Sequence, residues 1–490
     1  MNDATTLSPR SASAHPDAPI AAFIDGQGCE AGDARFPFHP ASAPHAPFEI
    51  AESSPAQIAA AVEGAWQRFS ATRFASLADR MERLELLADT LASEAGILAQ
   101  LISHDVGKPI RIARGEVARG LQFVQACHSA TSQLGGEVLP LDAVRAGAGR
   151  FGYTRRFPFG VVGAITPFNA PINLLVQKLA PALAAGNTVV VKPAPPATRA
   201  AVHLAQALVR KGLAPGVFNV LTGDRAAAVG LAGHPRVGVV SFTGGVSAGE
   251  NLLRHVGVRK FVSELGSNAA NIVLADADLD DAAAKIATAA FEASGQQCIS
   301  AQRVIVERAV YTRFVERFVA AAGGLRVGPA ADETSDLGPM VSQASADRVV
   351  ALCEDAVQHG ARHLLPFVRD GLTLHPVILA DVPQAARLWR EEVFGPVALV
   401  IVADDAAHAL ALANDSPFGL QGAVFTRDLR QAFRFAEEFD VGSLWVNEAS
   451  RFRLDMYPFG GMKQSGVGRE GVRYAIEELT QLKFTGIHWR

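Results

Sequence analysis

Between residues 161 and 262 the chain repeats one pattern: a short apolar run, an amphipathic stretch, then another apolar run. Apolar runs fall at 161–165, 188–191, 217–221, 237–242 and 260–262, and helical periodicity at 171–185, 200–211, 225–232 and 247–255. Strands that lack polar alternation are buried on both faces, and strands separated by helices pair in parallel. The pattern therefore predicts a parallel sheet covered on both sides, a nucleotide-binding architecture with its ligand at the carboxyl ends of the strands. Within it, Pro171 suits the first turn of a helix, and Gly186-Asn187 suits its end.

A second αβ series follows Glu264, with strands at 271–274, 303–307, 397–402 and 441–446 and helices at 280–294 and 310–322. Two α/β domains are thus expected, with Glu264 and Cys298 near their junction, where ligand clefts form. Upstream, Leu77, Met81, Leu84, Leu87, Leu91, Leu98 and Ile102 have helical spacing, with Ser76 as N-cap and Gly107-Lys108-Pro109 as the stop. A chain of 490 residues has room for two or three domains with filled cores. Its formal charge of −4 gives no reason to expect nucleic acid or an anionic membrane as partner. No uninterrupted apolar run reaches the roughly eighteen residues of a spanning helix. The segment 1–20 carries no signal-type apolar core and reads as a mobile tail.

Four cysteines, Cys29, Cys127, Cys298 and Cys353, lack CxxC spacing, so the expectation is free thiols in a reducing cytoplasm. No metal site is expected. His359 and His363 are four apart but enclose Gly360 and lack a carboxylate motif. Asp276, Asp278 and Asp280 imitate a calcium loop, but Asp281 and Ala287 stand where that loop needs Gly and Glu, so the acids read as helix caps.

Three residues carry the chemistry. Cys298 follows the polar turn Gly295-Gln296-Gln297 at the end of an apolar helix, where a thiol can meet a cleft. Glu264 ends an apolar strand ahead of Leu265-Gly266, so burial should raise its pKa and suit it to general-base work. Asn169, in Thr166-Pro167-Phe168-Asn169-Ala170-Pro171, either caps the following helix or offers its amide to a developing oxyanion. A thiol nucleophile, an oxyanion donor and a water-activating carboxylate are what aldehyde oxidation through a thioester requires.

With these motifs the chain resembles the aldehyde dehydrogenase superfamily of NAD(P)-dependent enzymes, from about residue 21 to the C-terminus. The resemblance also rests on Lys192-Pro193, Phe242-Thr243-Gly244, Glu391-Glu392-Val393-Phe394-Gly395-Pro396 and Pro458-Phe459-Gly460-Gly461. It implies an α/β fold of that family: a Rossmann-type cofactor domain (21–146 and 159–265), an α/β catalytic domain (266–466) and a small β oligomerisation flap (147–158 with 467–490). A homodimer or homotetramer is implied. So are Cys298 as nucleophile, Glu264 as base for deacylation, and Asn169 with the Cys298 N–H as oxyanion hole. For NAD or NADP it implies Lys192 at the adenosine ribose, Glu392 at the nicotinamide ribose and Phe394 near the nicotinamide. Gly244, Gly245 and Gly249 would face the pyrophosphate, and Ile165, Thr166, Pro167, Phe242 and Leu265 would complete that site.

By the same analogy the substrate pocket is lined at Ala170, Leu174, Gln177, Gln297, Ile299, Arg453 and Phe459. Pro195 stands where many NAD-preferring relatives carry Glu, which leaves NADP open beside NAD. Arg225 reads either as a phosphate partner or as a surface charge. Gly245 replaces a serine hydroxyl. Gln177 and Gln297 stand where relatives with anionic substrates carry Arg, so a strongly anionic substrate is disfavoured. Arg451-Phe452-Arg453-Leu454-Asp455 resembles the lactaldehyde, phosphonoacetaldehyde and non-phosphorylating glyceraldehyde-3-phosphate group. Arg453 then either binds a hydroxyl or carboxylate or pairs with Asp455. A small polar aldehyde, with at most one acidic group, is the expected substrate. The rival readings are a coenzyme A-acylating semialdehyde dehydrogenase, which tends to lack a base at the Glu264 position, and a catalytically silent binding or structural member.

Overall fold

The computed structural model describes residues 18–489. Of the expected tail, residues 1–17 lie outside the described residues, and its end is held: Ile20 is buried, with its N–H donating to the Glu49 carbonyl at 2.8 Å.

The first αβ series forms a sheet of five parallel strands, β1 (Val161–Thr166), β2 (Thr188–Pro193), β3 (Phe218–Val220), β4 (Val237–Thr243) and β5 (Lys260–Glu264), in the order β3-β2-β1-β4-β5. Strand order reverses between β1 and β4, so the crossovers leave the sheet on opposite faces and open a crevice beyond Thr166 and Thr243. Phe23–Ile24 adds antiparallel to β3, and Gly466–Val467 adds antiparallel to β5, with Gly466 opposite Glu264.

Helices cover both faces: α1 (Pro55–Thr72), α2 (Leu77–Val106), α3 (Ile110–Thr131), α4 (Pro171–Ala185), α5 (Thr198–Arg210), α6 (Arg225–Gly233) and α7 (Val246–Val256). Ser76 caps α2 as expected, in a reciprocal box with Asp79. By length and composition α2 could cross a membrane; here its Leu84, Leu87, Leu91 and Leu98 are fully buried in the core. Helix α4 is buried along its whole length, from Pro171 to the left-handed Gly186 (φ 89°), where a Cβ would lie 2.9 Å from the Arg80 guanidinium carbon. A core leucine there, such as Leu179, contributes about 2–5 kcal/mol relative to alanine.

The second series forms another parallel sheet from β6 (Ala270–Val273), β7 (Arg303–Glu307), β8 (Val377–Ala380), β9 (Val397–Ala403), β10 (Gln421–Phe425) and β11 (Ser443–Val446), in the order β8-β9-β7-β6-β10-β11. Asp278 caps α8 (Leu279–Phe291), accepting from the Asp281 N–H at 3.2 Å. The helix expected over 280–294 stops at Phe291. Ala293 (φ 52°) and Ser294 (φ 57°) adopt left-handed backbone, and Gly295 (φ 64°) follows with its Cβ position 2.1 Å from the Gly395 carbonyl oxygen, a space only glycine fits. Three successive left-handed residues turn the chain out of α8 and carry it to Cys298.

Arg150–Pro158 and Thr480–His488 pair antiparallel along their full length, from Thr480 opposite Pro158 to His488 opposite Arg150. Leu482, Phe484 and Ile487 on the latter strand are exposed.

Candidate active site

The crevice beyond β1 and β4 is a cavity of 710 Å³ that reaches from Lys192 to Cys298. Its walls include Ile165, Thr166, Pro167, Phe242, Gly244, Gly245 and Leu265. The hydroxyls of Thr166 and Thr243, at the ends of the two switch-point strands, are buried without a hydrogen-bond partner among the described residues. Gly245 is the N-cap of α7 and supplies no side chain to its free amides, and nothing lies within 4 Å of where its Cβ would be. Gly249 works from behind: its Cβ would sit 2.7 Å from Leu265 Cδ2, so any larger residue would push α7 off the wall. An anion-sized cradle with unclaimed donors at a helix N-terminus fits a dinucleotide pyrophosphate.

At one end, the buried Lys192 donates to the Gly223 carbonyl at 3.4 Å. Burial lowers its pKa, and Asp224 and Glu52 act against that. Arg225 remains exposed yet lines the same cavity, so it is both a surface charge and a cavity residue. Pro195 and Gly249 are not among the lining residues; Pro195 sits in the short turn Pro195–Ala197.

At the other end, Glu392 accepts from the Ser267 N–H at 2.9 Å, and burial pushes its carboxyl up to about 7. Phe394 has left-handed backbone (φ 51°) and meets Phe168 edge-on at 5.7 Å. Two residues the sequence did not single out hold this loop. Gln302 donates to the Glu391 carbonyl at 2.8 Å and accepts from the Val393 N–H at 2.9 Å. Arg348 lines the cavity and donates to the carbonyls of Val393 and Glu392 at 2.8 and 2.6 Å. Neither lies in a motif, and their spacing from Glu392 carries no signal.

Asn169, Glu264 and Cys298 all line this end of the cavity. The turn before Cys298 is fixed by the Ser294 hydroxyl, which donates to the Gly338 carbonyl at 2.6 Å, and by Gln296, which accepts from the Val341 N–H at 3.0 Å. Burial pushes the Cys298 thiol up to about 12, with the Glu392 carboxylate adding to the rise and Arg453 opposing it. Both Glu264 oxygens are buried without a hydrogen-bond partner among the described residues. Burial, then the neighbouring Glu470, raise its carboxyl well above the usual range. Asn169 is not the helix cap: Ala170 holds that position without a side-chain bond, which leaves the Asn169 amide to the cavity.

None of the expected substrate residues lines this cavity. Cys298 packs with Ile299, Leu420, Phe459 and Tyr457. Arg453 lies 3.7 Å above the Phe459 ring and donates to Glu470 at 2.9 Å and Gln177 at 3.0 Å. Asp455, one of the two partners left open for it, forms a longer ion pair at 3.9 Å and is engaged by Arg119 at 2.7 Å. The closer pairing of Arg453 is with Glu470, which is equally buried and also faces Lys178, at 3.3 Å. Burial alone would raise the Glu470 carboxyl; Lys178 and Arg453 more than offset it and hold it below its ordinary value. Ala170 and Leu174 lie on the first turn of α4, and Gln297 is half-buried beside Cys298.

The sequence matches the profile of the Aldehyde dehydrogenase family over residues 36–485. A 3-sulfolactaldehyde dehydrogenase from Priestia aryabhattai is 42% identical over 405 residues, 82% of this chain and 85% of that protein. A lactaldehyde dehydrogenase from Methanococcus vannielii is 37% identical over 415 residues, 84% and 88% of the two chains. An NADP-dependent glyceraldehyde-3-phosphate dehydrogenase from Bacillus halodurans, solved in complex with NADP, superposes with a TM-score of 0.93 at 32% identity, covering 96% of this chain and 100% of that one.

Proposed function

The chain belongs to the aldehyde dehydrogenase family and oxidises an aldehyde with NAD or NADP; we propose that its substrate is a small polar aldehyde of the 2-hydroxyaldehyde kind, converted to the acid by Cys298, Asn169 and Glu264. The observation that carries this reading is the convergence of those three side chains on one end of the cavity. A buried carboxylate with no hydrogen-bond partner beside the thiol favours a hydrolytic end to the cycle over transfer to coenzyme A.

In the proposed cycle the Cys298 sulfur attacks the aldehyde carbon as a thiolate, and the carbonyl oxygen becomes an oxyanion held by the Asn169 amide and the Cys298 N–H. A thiol held near 12 is protonated at neutral pH, so its proton passes to solvent as the sulfur attacks, and Glu264 stays free for the water step. Glu392 and Phe394 would hold the nicotinamide end of the cofactor, which would supply the acceptor for the hydride of the tetrahedral carbon. Collapse gives a Cys298 thioester. Glu264 then takes a proton from water, the hydroxide attacks the thioester carbon, and the acid leaves with regeneration of the thiol. One aldehyde, one water and one oxidised cofactor give one acid, one reduced cofactor and one proton. Lys192, Glu392, Phe394 and the α7 amides are proposed to hold the cofactor, with Pro195 setting no charge against a 2′-phosphate.

The substrate class rests on the cluster across Cys298. Arg453 is committed to Glu470 and Gln177, and its Nε, 3.9 Å from the Asp455 carboxylate, is buried and makes no hydrogen bond among the described residues. One unclaimed donor beside an aromatic face suits a hydroxyl better than a phosphate. Relatives named for lactaldehyde and 3-sulfolactaldehyde agree with a hydroxyl beside the aldehyde carbon. The exposed Leu482, Phe484 and Ile487 support self-association through the Thr480–His488 strand.

A panel of lactaldehyde, glycolaldehyde, semialdehydes and aromatic aldehydes, run with NAD and NADP and with or without coenzyme A, tests the reading by absorbance at 340 nm. Hydroxyaldehydes should give the highest kcat/KM without coenzyme A, and Cys298→Ala should abolish the signal. A strict need for coenzyme A, or full activity of Cys298→Ala, would overturn it.

A further inference from the structure

Helix α4 begins without a cap of its own. Ala170 has no side chain to offer, and Pro171 has no N–H, so the Ile172 and Asn173 amides need an outside acceptor. They find it in Glu116 of α3, whose Oε1 accepts from Ile172 at 2.9 Å and Asn173 at 3.2 Å. The other carboxylate oxygen of Glu116 is bound by the Lys108 ammonium, and Lys108 donates a second hydrogen bond, at 2.6 Å, to the backbone carbonyl of Asn169. Both charged side chains are buried. The pair thus grips the chain on both sides of Ala170: Lys108 at residue 169, Glu116 at residues 172 and 173.

Lys108 reaches this point from a rigid support. It follows Gly107, the left-handed end of α2 (φ 80°), whose Cβ position lies 2.8 Å from Pro339 Cγ. Gly338, next to it, has its own Cβ position 2.1 Å from the Gly107 carbonyl oxygen, and the same Gly338 carbonyl receives the Ser294 hydroxyl. The elbow between α2 and α3 is therefore wedged against the segment that fixes the turn before Cys298, while its lysine holds Asn169.

We propose that Lys108 and Glu116 are positioning residues for the Asn169 amide, setting its place relative to Cys298 through the Asn169 carbonyl and the first turn of α4. The inference rests on the reading of Asn169 as oxyanion donor. Neither residue touches the substrate. Their effect falls on the step that develops the oxyanion, since a donor displaced by about 1 Å loses about a hundredfold in rate.

The test is a double-mutant cycle on the first-turnover burst of NADH or NADPH, followed by stopped flow with the best aldehyde of the panel. Lys108→Met should slow the burst about tenfold to a hundredfold while leaving the cofactor Kd within about twofold. Asn169→Ala alone should slow it about a hundredfold or more. Lys108→Met added to Asn169→Ala should slow it no further, because the group it acts through is gone. Lys108→Arg, which keeps charge and donors, should recover part of the rate. If Lys108→Met does not fold, Glu116→Gln takes its place, since it keeps an acceptor for the α4 amides while loosening Lys108. Equal slowing by the same variant in both backgrounds, or no slowing while Asn169→Ala is slow, would overturn the positioning role. A normal burst in Asn169→Ala would instead remove the oxyanion reading beneath it.

Discussion

The two sides of Cys298 are built on opposite principles. Toward the cofactor cavity, polar atoms are left unclaimed: the Thr166 and Thr243 hydroxyls, both Glu264 oxygens and the α7 amides beyond Gly245. On the far side polar atoms claim one another, in the chain Lys178–Glu470–Arg453–Gln177 and the adjoining Asp455–Arg119 pair. The contrast is sharpest in two buried carboxylates. Glu470 has two cations and sits low; Glu264 has no hydrogen-bond partner and sits high. An unpaired group is kept ready for a ligand or a proton, whereas a paired one supplies a fixed field and a fixed shape. The buried titratable groups around the thiol are therefore paired on one side and left unpaired on the other.

Breaking the paired side should have the largest effect on stability. Arg453→Met strips Glu470 of one of its two cations and should destabilise the fold by about 3–5 kcal/mol, read as a fall in the urea midpoint. A change below about 1 kcal/mol would mean that the network is not the fixed side of the comparison.

The unpaired side should respond with the opposite sign. A carboxyl whose folded pKa lies above its ordinary value of 4.5 favours folding less and less as pH rises from that value toward the folded pKa. Glu264→Gln removes that burden. It should therefore be more stable than the parent at pH 8, by about 1–3 kcal/mol, with the gap closing toward pH 4. Paired thermal melts at the two pH values check this, and a variant less stable at pH 8 would place Glu264 with the paired groups.

The smallest effect concerns Glu392, whose carboxyl titrates near 7. If its ionised form holds ribose hydroxyls, cofactor Kd should fall as pH rises toward 7 and level off above it, by at most about tenfold per unit. Fluorescence titration of cofactor from pH 5.5 to 8.5 should show this slope in the parent and a flat line in Glu392→Gln.

The open side was far more legible in the sequence than the closed side, for a physical reason. Unclaimed donors at strand ends and helix starts come from local patterns: the apolar runs that became β1 to β5, Pro171 and Gly186 bounding α4, and the glycines before α7. Paired charges depend on where distant segments meet. Nothing near Arg453 points to Glu470 rather than Asp455, and nothing near Asn169 points to Lys108 and Glu116, more than fifty residues upstream. The sequence pattern runs α8 to 294 rather than Phe291 because Ala293 and Ser294 are ordinary helix residues, while the contacts at their turn, Ser294 to Gly338 and Gly295 to Gly395, come from distant segments. Arg348 and Gln302 carry no sequence signal because they act on backbone carbonyls and amides, which leave no trace in composition.

The central claim is that Glu264 activates the water that releases an acyl group from Cys298, and intact-protein mass spectrometry of Glu264→Gln tests it most directly. At pH 8 the variant should be mixed with NAD or NADP and a turned-over aldehyde, then quenched in acid. The account predicts one reduced cofactor per active site in a burst, and an adduct on Cys298 equal to the aldehyde less two hydrogens. Normal steady turnover with no adduct would contradict it.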